Sequence, residues 1–134
     1  MNSRLDAHLV KLGPNLFIDR YAPKTQTAMC WGFDCGNGWY QLLKEAVLKL
    51  EPLIVAEIAK DPEGAKFGYY RASQVKEKYG TLRFYLYGET DEMSAVIRKA
   101  ERQSARTCET CGKPGKVRGR WFYTSCVKHK REQE

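Results

Sequence analysis

Three cysteines and one histidine near the C-terminus carry the clearest chemistry in this chain. Thr107-Cys108-Glu109-Thr110-Cys111-Gly112 holds a Cys-x-x-Cys pair, and Ser125-Cys126-Val127-Lys128-His129 holds a Cys-x-x-His pair, with fourteen residues between them. Two pairs with two-residue gaps let four soft or borderline donors converge on one ion, the requirement of a tetrahedral structural zinc site. Gly112 gives the backbone room to turn under the metal. Between the pairs, Lys113-Pro114-Gly115 has turn chemistry and Arg120-Trp121-Phe122-Tyr123 reads as a short strand. Thr124 or Ser125 is placed to cap a short helix carrying Cys126 and His129 on one face. A knuckle, a hairpin and a helix around one structural Zn2+ make a treble-clef-like module.

Four protein ligands close a tetrahedral shell and leave no position for water or substrate, so a binding role is expected and an enzymatic one is not. A deaminase-like site needs three ligands and a nearby carboxylate in a different order. Cys30 and Cys35 remain outside the metal set and are expected as thiols, because no spacing ties Asp34, Cys35 and His8 into a nucleophilic site.

A second candidate is Gly36-Asn37-Gly38, flanked by Trp31, Phe33 and Trp39. Two glycines permit positive φ, and exposed N–H groups at a helix start could receive a phosphate or a carboxylate. The alternative is that the tryptophans and Phe33 simply pack this loop on the core. A third candidate is a hairpin from Ala72 to Tyr87, in which Leu82, Phe84 and Leu86 alternate with polar residues and Tyr79-Gly80 supplies the turn. Its outer face would gather Gln74, Lys76, Lys78, Arg83, Tyr85 and Tyr87. Tyrosines that stack bases and cations that hold phosphates suit nucleic acid, while cross-strand pairing that only stabilises the sheet explains the same residues.

These pieces need a scaffold. At 134 residues, 43% of them hydrophobic, the chain has length for one modest core. A helix runs from Trp39 past Leu50, either kinked at Pro52 or restarted there, and ends at Asp61-Pro62-Glu63-Gly64. A second helix starts at Thr90-Asp91-Glu92, buries Met93, Val96, Ile97, Ala100 and Ser104, and leads directly into Cys108. Before them, a short helix or arm around Leu5–Leu12 precedes a turn at Gly13-Pro14 and a short strand at Leu16–Ile18. The expectation is one α+β domain over 1–134: a small antiparallel sheet on two helices (1–106) with the zinc module fused over 107–134.

The net charge of +7 gathers around the metal residues, at Lys113, Lys116, Arg118, Arg120, Lys128, Lys130 and Arg131. That favours an anionic partner. Charged residues and Pro52 interrupt every apolar run, and no secretory signal is visible, so a cytoplasmic protein with no membrane partner is expected.

Three blocks, Met29–Trp39, Gln74-Val75-Lys76-Glu77-Lys78 through Tyr85, and Cys108–His129, together resemble a group of small proteins encoded by bacteriophages and prophages. In that group an acidic residue usually stands between the two glycines, where this chain has Asn37. The resemblance implies a phage accessory product in a bacterial host cell, acting by binding. Its partner would be a host protein, as for a counter-defence or regulatory inhibitor with Trp31, Trp39, Trp121 and Tyr123 as anchors. The alternatives are DNA or RNA, held by the sheet face with Arg118, Arg120 and Trp121, or a nucleotide signal held by the glycine loop with Lys76 and Arg83.

Overall fold

A computed structural model describes residues 1–131; the last three positions of the expected module lie outside the described residues. The chain is α+β. Among the described residues it forms helices α1 (Ser3–Leu12), α2 (Tyr40–Lys60), α3 (Pro62–Phe67) and α4 (Asp91–Ser104). Its strands are β1 (Phe33–Asp34), β2 (Arg71–Lys78), β3 (Thr81–Tyr87), β4 (Lys116–Arg118) and β5 (Tyr123–Ser125).

The hairpin forms where its alternation places it. β2 and β3 are antiparallel with Gln74 opposite Tyr85 and Lys76 opposite Arg83, after a register shift between Ala72 and Gln74. The sheet is not purely antiparallel, because β1 adds to β2 in parallel, with Phe33 beside Val75 and Asp34 beside Lys76. Val75, Leu82 and Phe84 point inward and are buried with Trp39, Phe17, Leu43, Leu50, Ile54 and Met93. Helix α4 lies against β3 and α2, with Met93, Ile97, Ala100 and Ser104 buried as the 3.6-residue period requires. Thr90 caps it by accepting from the Met93 N–H.

Helix α4 also closes the open edge of the sheet. The Leu82 N–H donates to Ser104 Oγ (2.8 Å) and the Phe84 N–H to Glu101 Oε2 (3.2 Å). These side chains satisfy strand donors that would otherwise be unpaired.

Several local expectations change. Leu16–Ile18 is a series of turns rather than a strand; Leu16 and Phe17 are core residues, with Phe17 edge-on to Phe33 at 4.9 Å. The Met29–Tyr40 block is ordered by two short 3-10 turns, Ala28–Trp31 and Asn37–Trp39, on either side of β1. Pro52 sits inside one continuous α2, and Asp61 both ends that helix and caps α3 through the Gly64 N–H. No helix among the described residues is long and apolar enough to cross a membrane.

Candidate metal centre and the face beside it

Cys108, Cys111, Cys126 and His129 come together as their spacing predicts, with one donor atom from each lying within 4.8 Å of the others. Cys111 Sγ and Cys126 Sγ are 3.7 Å apart, and His129 Nδ1 lies 3.6 Å from Cys108 Sγ and 3.2 Å from Cys126 Sγ. Such a group is compatible with one metal ion. The knuckle is shaped by backbone: Cys108 N–H donates to Lys113 O, and Gly112 N–H donates back to Cys108 O at a φ of 81°. Burial opposes ionisation of Cys108, but the N–H groups of Cys126, Cys111 and Thr110 outweigh it and bring the thiol down from 9.0 to about 6. A thiolate is the form that ligates.

The second pair is built differently from expectation. Arg120, Trp121 and Phe122 belong to the turn between β4 and β5, so the strand begins only at Tyr123. Neither Thr124 nor Ser125 caps a helix: Cys126 precedes a single 3-10 turn, Val127–His129, with no side-chain cap. One such turn is enough to bring residues three apart to the same side. Thr124 instead donates its hydroxyl to Gly80 O, locking β5 to the β2–β3 turn. The Glu109 N–H donates to Thr124 O, closing the module on itself.

The Gly36-Asn37-Gly38 loop does receive a carboxylate, and it is the protein's own. Gly36 N–H donates to Glu109 Oε2 (2.8 Å) and Gly38 N–H to Glu109 O (2.7 Å). Neither glycine uses positive φ. Their role is close approach, since a Cβ on Gly36 would lie 2.3 Å from Glu109 O and one on Gly38 2.1 Å from Cys108 O. Burial raises the Glu109 pKa above 4.5, and the Gly36 N–H opposes that shift. The Asn37 side chain accepts from the Asn2 N–H. Trp39 is fully buried and donates Nε1–H to Thr107 O. Gly36, Gly38 and Trp39 therefore join the core to the Cys108–Cys111 knuckle, Asn37 ties the loop to Asn2, and Trp39 is not a surface anchor.

Of the remaining candidates, the sheet face assembles as a unit. Gln74, Lys76, Lys78, Arg83 and Tyr85 share the open face, and Tyr85 and Tyr87 are exposed. At its far end the Tyr79-Gly80 turn abuts the backbone of Phe122 and Tyr123. Tyr79 (67% exposed), Phe122 and Trp121 (76%) stand there with Lys78 over the Tyr79 ring and Arg120 over the Trp121 ring. Arg118 is half tied down through its Nε–H to Ser125 O. Trp31 is 68% exposed, whereas Met29, Phe33, Cys35 and Trp39 of that block pack inward.

Cys30 and Cys35 are free thiols. Burial pushes Cys35 up to about 12. His8 is exposed and paired with the Tyr40 hydroxyl.

Glu109 had no expected role, and Thr124, Tyr79 and Phe122 were expected only as a helix cap, a turn residue and part of a strand. No family model, curated protein or solved structure matches this chain.

Proposed function

We propose that this chain is a zinc-binding accessory protein of the phage type, without catalytic function, that binds single-stranded nucleic acid across its open sheet face. Zinc is the metal that suits the donor set: with bonds of about 2.3 Å to sulfur, a tetrahedron has edges of about 3.8 Å. The Cys111–Cys126 separation of 3.7 Å agrees with that edge. Three thiolates with one imidazole are a closed structural set.

The observation that carries the nucleic-acid reading is the Lys76–Arg83 pair. Two cations directly opposite one another across antiparallel strands oppose folding. Among the described residues, neither they nor Lys78 and Arg120 take part in an ion pair. A phosphate chain would neutralise them, while Tyr85, Tyr79 and Trp121 offer stacking surfaces. The glycine loop does not contribute to this reading, because its Gly36 and Gly38 N–H groups are already engaged by Glu109.

Fluorescence anisotropy with labelled single-stranded and duplex oligonucleotides at low salt, followed by salt titration, tests the proposal. Preferential single-strand binding that falls linearly in log K against log salt is the expected result. Absence of any binding at low salt overturns it.

A second reading, inhibition of a host protein machine as in counter-defence, is favoured by the exposure of Trp31. One host protein retained stoichiometrically after nuclease treatment, and lost in Trp31→Ala, would support it.

A further inference from the structure

At the opposite end of the sheet from the metal, α3, the start of β2 and the end of β3 enclose a cleft of about 280 Å³. Phe67, Tyr69 and Tyr87 line it with Arg71, Asp19 and Gln26. Phe67 is 77% exposed, and Tyr69 and Tyr87 are also open to solvent, which is unusual for three neighbouring aromatic rings in so small a domain. Phe67 and Tyr69 are held against neighbours. Phe67 and Tyr69 meet edge-to-face at 5.1 Å, and Tyr69 lies against the backbone at Gly88. Tyr70 adopts a left-handed φ of 63°, a strained state for a bulky residue, and turns its own ring inward while Tyr69 stays outside.

The guanidinium of Arg71 is equally fixed. Nη1–H donates to Asp19 Oδ1 (3.1 Å) and Nη2–H to Ala65 O (3.3 Å), while Nε is buried without a partner. The side chain stays 23% exposed and lines the cleft with the three rings. Fixed aromatic rings and an arginine plane are the surfaces on which unpaired bases stack. A free amide, here the exposed Gln26, offers both a donor and an acceptor to a base edge. The volume falls just below the range of about 300–1,000 Å³ found for drug-sized ligands, room for one planar ring system.

We infer that this cleft takes a single nucleobase of the bound strand, an inference that rests on the nucleic-acid reading of the sheet face. Continuity supports the strand as its source. Tyr87 is the register partner of Arg71 and lies two residues beyond Tyr85 on the same strand, a rise of about 7 Å. A cationic guest, the other ligand of aromatic cages, is disfavoured by Arg71 in the wall.

The test uses the full metal-loaded chain, labelled single-stranded oligonucleotides with one abasic position walked along them, and free mononucleotides. Phe67→Ala, a surface change that should leave the melting temperature intact, should weaken oligonucleotide binding about tenfold with an unchanged salt slope. Phe67→Trp should restore it. One abasic position should cost the natural protein a similar factor and cost Phe67→Ala little more. If Phe67→Ala binds as the natural protein does while Arg83→Glu is impaired, the cleft assignment fails and the sheet-face reading stands. If the natural protein binds no oligonucleotide, the sheet-face reading fails and takes the cleft with it. Mononucleotides binding as tightly as oligonucleotides would overturn the strand as the source of the base.

Discussion

The amide of Gly38 lies 2.7 Å from the carbonyl oxygen of Glu109, so the glycine block is bound to the peptide that follows the first metal ligand. A methyl group on Gly38 would fall 2.1 Å from Cys108 O, and backbone at the knuckle has nowhere to retreat. Gly38→Ala should cost about 1–3 kcal/mol or more, seen as a lowered urea midpoint, with reduced metal retention in the same samples. Unchanged stability and metal content would show that the knuckle is not held by this approach.

Removing the metal should reach beyond the C-terminal quarter. The ligand knuckle touches Gly36, Gly38 and Trp39 through Thr107 and Glu109, and β5 touches the hairpin turn through Thr124. With free ion a thousandfold above its dissociation constant, binding supplies about 4 kcal/mol. Chelation or Cys111→Ser should therefore lower the melting temperature by about 10 °C or more. Amide exchange should quicken at Gly36–Trp39 and Gly80 as well as around Cys108. Exchange confined to residues after Cys108 would show that the module is energetically separate.

Much of this was legible in the sequence, for identifiable reasons. The cluster of Cys108, Cys111, Cys126 and His129 announces itself because coordination constrains spacing, and Leu82, Phe84 and Leu86 announce a strand because one face is buried. Short segments were less legible. Leu16–Phe17 is as apolar as a strand, yet follows turn geometry because Phe17 packs on Phe33, the Leu16 N–H is taken by Glu51 and the Phe17 N–H by Gly13 O. The glycines at 36 and 38 left a phosphate, a carboxylate or simple packing open, because composition shows that a close approach is possible without saying what approaches. Glu109 is 73 residues away from Gly36, and only the fold joins them.

Charge reversal on the open face separates binding from stability. Arg120 is exposed and, among the described residues, takes part in no ion pair, whereas Arg118 braces Ser125 O. Arg120→Glu should weaken single-strand binding and reduce the magnitude of the salt slope by about 0.7 for the lost phosphate contact. It should leave the melting temperature within about 0.5 kcal/mol equivalent of the natural protein. An unchanged slope in anisotropy titrations would remove Arg120 from the interface.

Ser104 carries a structural duty that its small size conceals. It is fully buried, and its Oγ accepts the Leu82 N–H while donating to Glu101 O at 2.6 Å. Ser104→Ala would leave a buried strand amide unpaired, at a cost of about 1–3 kcal/mol. Chemical denaturation checks the cost, and hydrogen exchange at Leu82 checks its cause. A neutral substitution would mean that another acceptor reaches that amide.

The two spare thiols should differ in reactivity. Burial is the main reason that Cys35 rises from 9.0 to about 12; the N-terminal ammonium opposes the rise, and the carboxylates of Glu109, Asp34 and Asp6 reinforce it. Cys30 is only half-buried. Iodoacetamide at about pH 8, read by mass spectrometry on the metal-loaded protein, should label Cys30 and spare Cys35, because the thiolate is the reacting form. The same shift fixes a pH dependence. A thiol whose folded value lies above its unfolded one stabilises fully below pH 9.0, and that contribution is lost as the pH rises toward about 12. Melting temperatures measured up to that range should fall less steeply for Cys35→Ala than for the natural protein. Equal labelling of both thiols, or identical alkaline profiles, would place Cys35 within reach of solvent and overturn the assignment.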